Sequence, residues 1–229
     1  MLNRSLIHDI QQALRSNLIP GILLQLFALM LALSYFHWPA AQLAFDQLAS
    51  LKAQYQWRFS AVATALFGGL IPFAIAYWSG QVSGRIWPQI LCLGLLWAYK
   101  GVEVDLVYQW QARVFGEGAD WQTVATKVAV DQFIYAALWS IPGIALVYHW
   151  KDRGFVFRGM GRELNRRFWQ QKVLSMVLTN WLIWIPAVAI VYTMPLNLQI
   201  PLFNIVLCFF SLLVAMLSKP PVEAASLTN

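Results

Sequence analysis

Five stretches of the chain, residues 18–36, 59–78, 124–148, 173–194 and 201–218, are almost wholly apolar and come near the length that carries a helix through a bilayer. Such a crossing takes about 20 residues at roughly 1.5 Å rise each. Hydrocarbon holds no water to satisfy open backbone, so a spanning segment must be a helix or part of a closed barrel. The period-two alternation of barrel strands is absent. The chain is therefore expected to be all-α, a polytopic transmembrane helix bundle forming one integral membrane domain over residues 1–229. Composition agrees: only 11% of residues are charged, against about 25% in soluble domains.

A sixth apolar run, residues 86–99, is too short alone. It spans only by recruiting the following "KGVEVDLVY", which brings in Lys100, Glu103 and Asp105. Six helices are expected on that basis, with five as the alternative. Residues 1–17 place Leu2, Leu6, Ile7, Ile10 and Leu14 at helical spacing, the pattern of an amphipathic helix lying on the membrane surface. Residues 219–229 form a short polar tail. Between the third and fourth long runs, residues 151–172 carry Lys151, Arg153, Arg158, Arg162, Arg166, Arg167 and Lys172 against Asp152 and Glu163. The positive-inside rule puts this loop in the cytoplasm, or in the matrix of an organelle. A bacterial inner membrane is the expected location, a mitochondrial inner or other organelle membrane the alternative. Anionic lipid is the expected partner of the loop, and nucleic acid is not. Self-association into a homo-oligomer stays open.

Charges inside apolar runs point to function, because each is expensive there. Lys127 and Asp131 are four residues apart and on an α-helix would share a face and pair. With Gln132 and Asn180 they form a candidate polar path; the competing reading is a structural pair that locks helices together. Lys100, Glu103 and Asp105 make a secondary polar cluster. Glu103 is spaced to pair with Lys100, whereas Asp105 points elsewhere. Two nearby carboxylates can act as acid and base, but a wet interfacial segment is the simpler explanation. No metal, cofactor or nucleophile motif is present, and no catalytic residue is assigned. His8, His37 and His149 are scattered, and Cys92 and Cys208 lie in separate apolar runs. Gly68, Gly69 and Pro72, Pro142 with Gly143, and Pro186 mark close helix packing and kinks, since small residues let backbones approach and proline frees a carbonyl.

Several of these segments resemble one family. "KVAVDQFIYAALW", with Lys127, Asp131 and Gln132, is similar to its signature of a basic residue, Asp-Gln and an apolar run. The later segment with Asn180, Trp181, Trp184, Pro186, Tyr192, Pro195, Leu217 and Ser218, and the earlier "FGGLIPFAIAYW" with Pro72, Tyr77 and Trp78, are similar to further parts of it. The family is that of the small integral membrane proteins named for Mpv-seventeen and the peroxisomal membrane protein of twenty-two kilodaltons. The resemblance covers residues 58–218, with residues 86–122 as an inserted segment. It implies a small helical membrane protein acting as a weakly selective channel or maintaining metabolite pools. A small pore or carrier is thus the leading expectation. The alternatives are a membrane scaffold or stress-related structural protein, and an intramembrane enzyme using Glu103 and Asp105.

Overall fold

The computed structural model describes the backbone of residues 4–217 and the side chains of residue 15 and residues 17–213. Every regular element among them is helical. Helix α1 spans Arg4–His37 and α2 Pro39–Tyr55. Helix α3 runs over Trp57–Trp78, α4 over Ile86–Phe115 and α5 over Trp121–Asp152. The short α6, Met160–Glu163, lies in the basic loop, followed by α7, Phe168–Tyr192, and α8, Leu196–Leu217. Among the described residues five helices are long and apolar enough to cross a membrane: the Asn17–His37 part of α1, then α3, α5, α7 and the Leu196–Leu213 part of α8. These are the five long apolar runs of the sequence, and the architecture is a polytopic helical bundle.

Residues 4–17 are helical and pass without a break into the first span, as one 34-residue helix. The side chains of residues 4–14 and the tail, 219–229, lie outside the described residues. Part of the expected basic loop is itself helical, since α5 ends at Asp152 and α7 begins at Phe168. The 17-residue α2 was not expected at all. Its buried face is made by Phe45 and Lys52, with Leu48 and Ala49 half-buried beside them, and polar residues interrupt the apolar ones on every turn.

Direction along the bundle follows from the contacts. Helix α1 lies against α7 and touches its first turns, Phe168–Val173, so α1 begins at the basic-loop end. Its other end leads through α2 to Ser60, which hydrogen-bonds Asp105 late in α4. Farther along α4, Gln111 donates to the Tyr192 hydroxyl at the last residue of α7. The starts of α3 and α5 and the ends of α4 and α7 therefore share the end far from the basic loop. Helix α4 runs antiparallel to α3 from the Gln81 turn to that far end. Asp120 caps α5 there: its carboxylate accepts from the Thr123 backbone N–H at 3.0 Å, and this bond holds its pKa below the usual carboxylate range.

Two prolines sit just behind wide turns. Residues Ala65–Leu70 of α3 and Val130–Ser140 of α5 are π-helical, and Pro72 and Pro142 follow within two residues. A proline has no N–H, and its ring pushes away the carbonyl four residues back. A wider turn ahead of the ring absorbs that displacement. Pro186 is handled differently. It frees the Leu182 carbonyl, and Gln25 Nε2 from α1 donates to that oxygen at 3.3 Å.

Gly68 and Gly69 seat Trp97: a Cβ on Gly68 would lie 2.6 Å from its ring and one on Gly69 2.9 Å. Gly143 faces open space, so the close packing expected of it is not found. The tightest helix approach is at Gly101, which the sequence reading passed over. A Cβ there would run into the Ser60 carbonyl oxygen and lie 2.7 Å from Thr64.

Candidate functional site

Polar residues point inward in this bundle, and the outside is apolar. Helix α4 makes the point best. Trp87, Leu91, Leu95, Tyr99, Leu106, Trp110 and Val114 are exposed at spacings of four and seven, while Lys100, Asp105 and Gln111 are buried. A helix of a water-soluble protein has the opposite arrangement.

The buried charges fall into three separate settings. In the first, Asp105 Oδ2 meets Lys52 Nζ at 3.0 Å and accepts from Ser60 Oγ at 2.7 Å, while its Oδ1 accepts from Gln109 at 3.0 Å. This clamp ties α2, α3 and α4 together. Lys52 and Ser60 were not singled out from the sequence; a lone lysine on an unrecognised helix gave no signal. In the second, Lys100 Nζ pairs with both oxygens of Glu103 at 2.9 and 3.1 Å, as its spacing predicts. Glu103 and Asp105 thus have different partners, and the arrangement gives the two carboxylates no common site.

The third setting corrects the expected Lys127–Asp131 pair. Among the described residues no ion pair joins them, although both are buried. The π-helical segment begins at Val130, between the two, and the wider winding takes position 131 off the face that an α-helix would give it. Lys127 Nζ instead lies over the Tyr192 ring, 5.7 Å from its centroid. Asp131 Oδ2 accepts from Gln132 Nε2 at 3.2 Å, and the Tyr192 hydroxyl also faces it. Gln132 is held from α7 on two sides: Asn180 Nδ2 donates to its Oε1 at 2.8 Å and Trp181 Nε1 to its backbone carbonyl at 2.9 Å.

Between these helices lies a cavity of about 670 Å³ walled by α3, α4, α5, α7 and α8. Asp131, Gln132 and Asn180 line it, as do Lys100, Gly68 and Pro72. Lys127, Glu103, Asp105, Gly69, Pro142, Gly143 and Pro186 are not on its wall. Exposed Gln81 forms part of the rim, so the cavity reaches the surface at the basic-loop end. Toward the other end lie Tyr108, Gln111, Lys127 and Tyr192, each at most 2% exposed. Two hydroxyls of wall residues, Thr64 Oγ1 and Ser175 Oγ, are buried with no protein hydrogen-bond partner.

Fold and cavity together define a multi-pass helical membrane protein with a mainly apolar interior cavity into which a few polar side chains face. No family model matches the chain, and neither the curated proteins nor the solved structures yield a match.

Proposed function

We propose that the protein is a small-solute pore or carrier with six membrane crossings, and that the cavity is the solute's path. The single observation that carries this is a compartment as large as typical small-molecule sites, which reaches the surface beside Gln81 and extends to Asp131 and Tyr108 deep in the bundle. Asp131, about ten residues or roughly 15 Å into α5, lies near mid-membrane on this reading, where an ionisable side chain is costly to hold and marks a functional site by default. The resemblance of residues 58–218 to the Mpv-seventeen family points to the same class. A bacterial inner membrane fits the basic loop. Exposed Arg158, Arg162, Arg166 and Arg167 give that loop a surface for anionic lipid headgroups.

The sixth crossing is α4. Its apolar stripe runs nearly its whole length, and Lys100, Glu103 and Asp105 are paired inside. On this reading reporters fused after Arg166 and after Asn197 fall on opposite sides of the membrane. A cysteine at Arg15, with Cys92 and Cys208 replaced, is expected to label from the Arg166 side. Labelling from the opposite side leaves five crossings.

Transport itself is tested in liposomes and planar bilayers containing the purified protein. Wild type is expected to give solute flux or conductance above that of protein-free membranes, and Asp131→Asn to change it about tenfold, the equivalent of 1.4 kcal/mol. Wild-type membranes as tight as protein-free ones reject the proposal and favour a scaffold role.

A further inference from the structure

The charges on the cavity wall narrow the chemistry of what it holds. Two charged side chains line it, Lys100 and Asp131. Lys100 is neutralised by both oxygens of Glu103. Lys127, the nearest base on Asp131's own helix, is turned to the Tyr192 ring and is absent from the wall. The compartment therefore carries one acidic group without a basic counterpart.

The wall also holds seven aromatic side chains. Trp184 packs against Phe203 and Phe210, with ring centroids 5.2 and 6.2 Å apart, and all three line the cavity with Trp97, Tyr108 and Tyr148. Aromatic faces attract cations, most strongly where water is excluded, and do nothing comparable for anions. A metal ion fits poorly, since hard cations require a cage of about six or more oxygens. Among the described residues no group of three or more His, Cys, Asp or Glu side chains comes together. The space instead suits a molecule with a diffuse charge and an apolar body.

We propose, on the reading of the cavity as a solute path, that its ligand is an organic monocation of the substituted-ammonium class. The charged head is held between the Asp131 carboxylate and the aromatic wall, and the apolar body lies along Ile144, Val188 and Leu207. Gln132, fixed by Asn180 and Trp181, holds the carboxylate in place and is a positioning residue.

Choline, its uncharged tert-butyl isostere dimethylbutanol, and the anion dimethylbutanoate have nearly one shape and three charges. Equilibrium binding of each to the full-length protein in nanodiscs, by calorimetry, separates charge from fit. Choline is expected to bind at least tenfold more tightly than dimethylbutanol, with dimethylbutanoate weakest. Asp131→Asn should bring choline down to the level of the neutral isostere and leave dimethylbutanol unchanged. Trp184→Leu should weaken choline more than dimethylbutanol. Equal binding of choline and dimethylbutanol to wild type overturns the inference, as does tightest binding of the anion or no binding of any probe. That comparison needs no variant, so it decides even if Asp131→Asn fails to fold. Flux without cation preference sinks this inference and leaves the transport reading intact. Cation binding without flux does the reverse.

Discussion

Replacing Lys52 by methionine is expected to destabilise the protein by roughly 3–5 kcal/mol, because it strands the Asp105 carboxylate in a dry interior. The two groups are among the most buried charges in the molecule, with side chains only 5% and 3% exposed. Ser60 and Gln109 still donate to Asp105 in the variant, but two neutral donors do not balance a full charge. Removing both partners is expected to be far milder. Lys52→Met with Asp105→Leu takes away the attraction and the desolvation cost at once, and Ser60 Oγ retains the Gln56 carbonyl as an acceptor at 3.4 Å. Thermal melting in detergent, with denaturant titration in mixed micelles, reads the difference. A double variant as unstable as Lys52→Met would show that the clamp acts through more than charge compensation.

Gly101→Ala is expected to destabilise in spite of alanine's better helix propensity, which by itself favours the substitution by about 1 kcal/mol. The new methyl group meets a backbone carbonyl of α3, and a carbonyl cannot rotate aside as a side chain can. Overpacking of this kind typically costs about 1–3 kcal/mol, so the propensity gain is outweighed. Here the displaced helices also carry the Asp105 clamp, so Gly101→Val should fail to give a stable protein. Gly94, on the same helix, is the control. Its Cβ would rest 3.5 Å from Leu70 Cδ2, an ordinary contact, and Gly94→Ala should be neutral or stabilising. Gly101→Ala is expected to lower the melting temperature and Gly94→Ala to leave it unchanged or raise it; an equal fall in both would refute the packing argument.

Length and apolarity made the five long spans legible, because the bilayer imposes both on any single helix. Local spacing made Lys100 and Glu103 legible, since three residues on a regular α-helix bring them together. The Lys127–Asp131 pair followed from the same logic and failed, because the logic assumes regular winding. The wide segment from Val130 to Ser140 announces itself only through Pro142, twelve residues after the turn begins to matter. Lys52, Ser60 and Gly101 could not be found by spacing at all. Their partners lie on other helices: the antiparallel register of α3 and α4 sets Ser60 against both Asp105 and Gly101, and α2 brings Lys52 to the same carboxylate. The cavity was out of reach for the same reason, although Asp131, Gln132 and Asn180 on its wall were singled out as polar residues in apolar surroundings.

The clamp at Asp105 has a consequence for how the chain enters the membrane. On the six-crossing reading, α4 presents two acids and a lysine to the translocation machinery. Each charge opposes insertion by roughly 2.5–3.5 kcal/mol near the helix centre. As an isolated segment it is a poor candidate for release into lipid. The order of synthesis offers a remedy, because Lys52 and Ser60 leave the ribosome before Asp105 does, on the two helices that will hold it. Helices α3 and α4 are therefore expected to insert as a hairpin, with α3 retained at the lateral exit until its partner arrives. Lys52 then meets the arriving carboxylate during biogenesis, and its loss is expected to lower the yield of inserted protein in addition to the stability of the protein that folds.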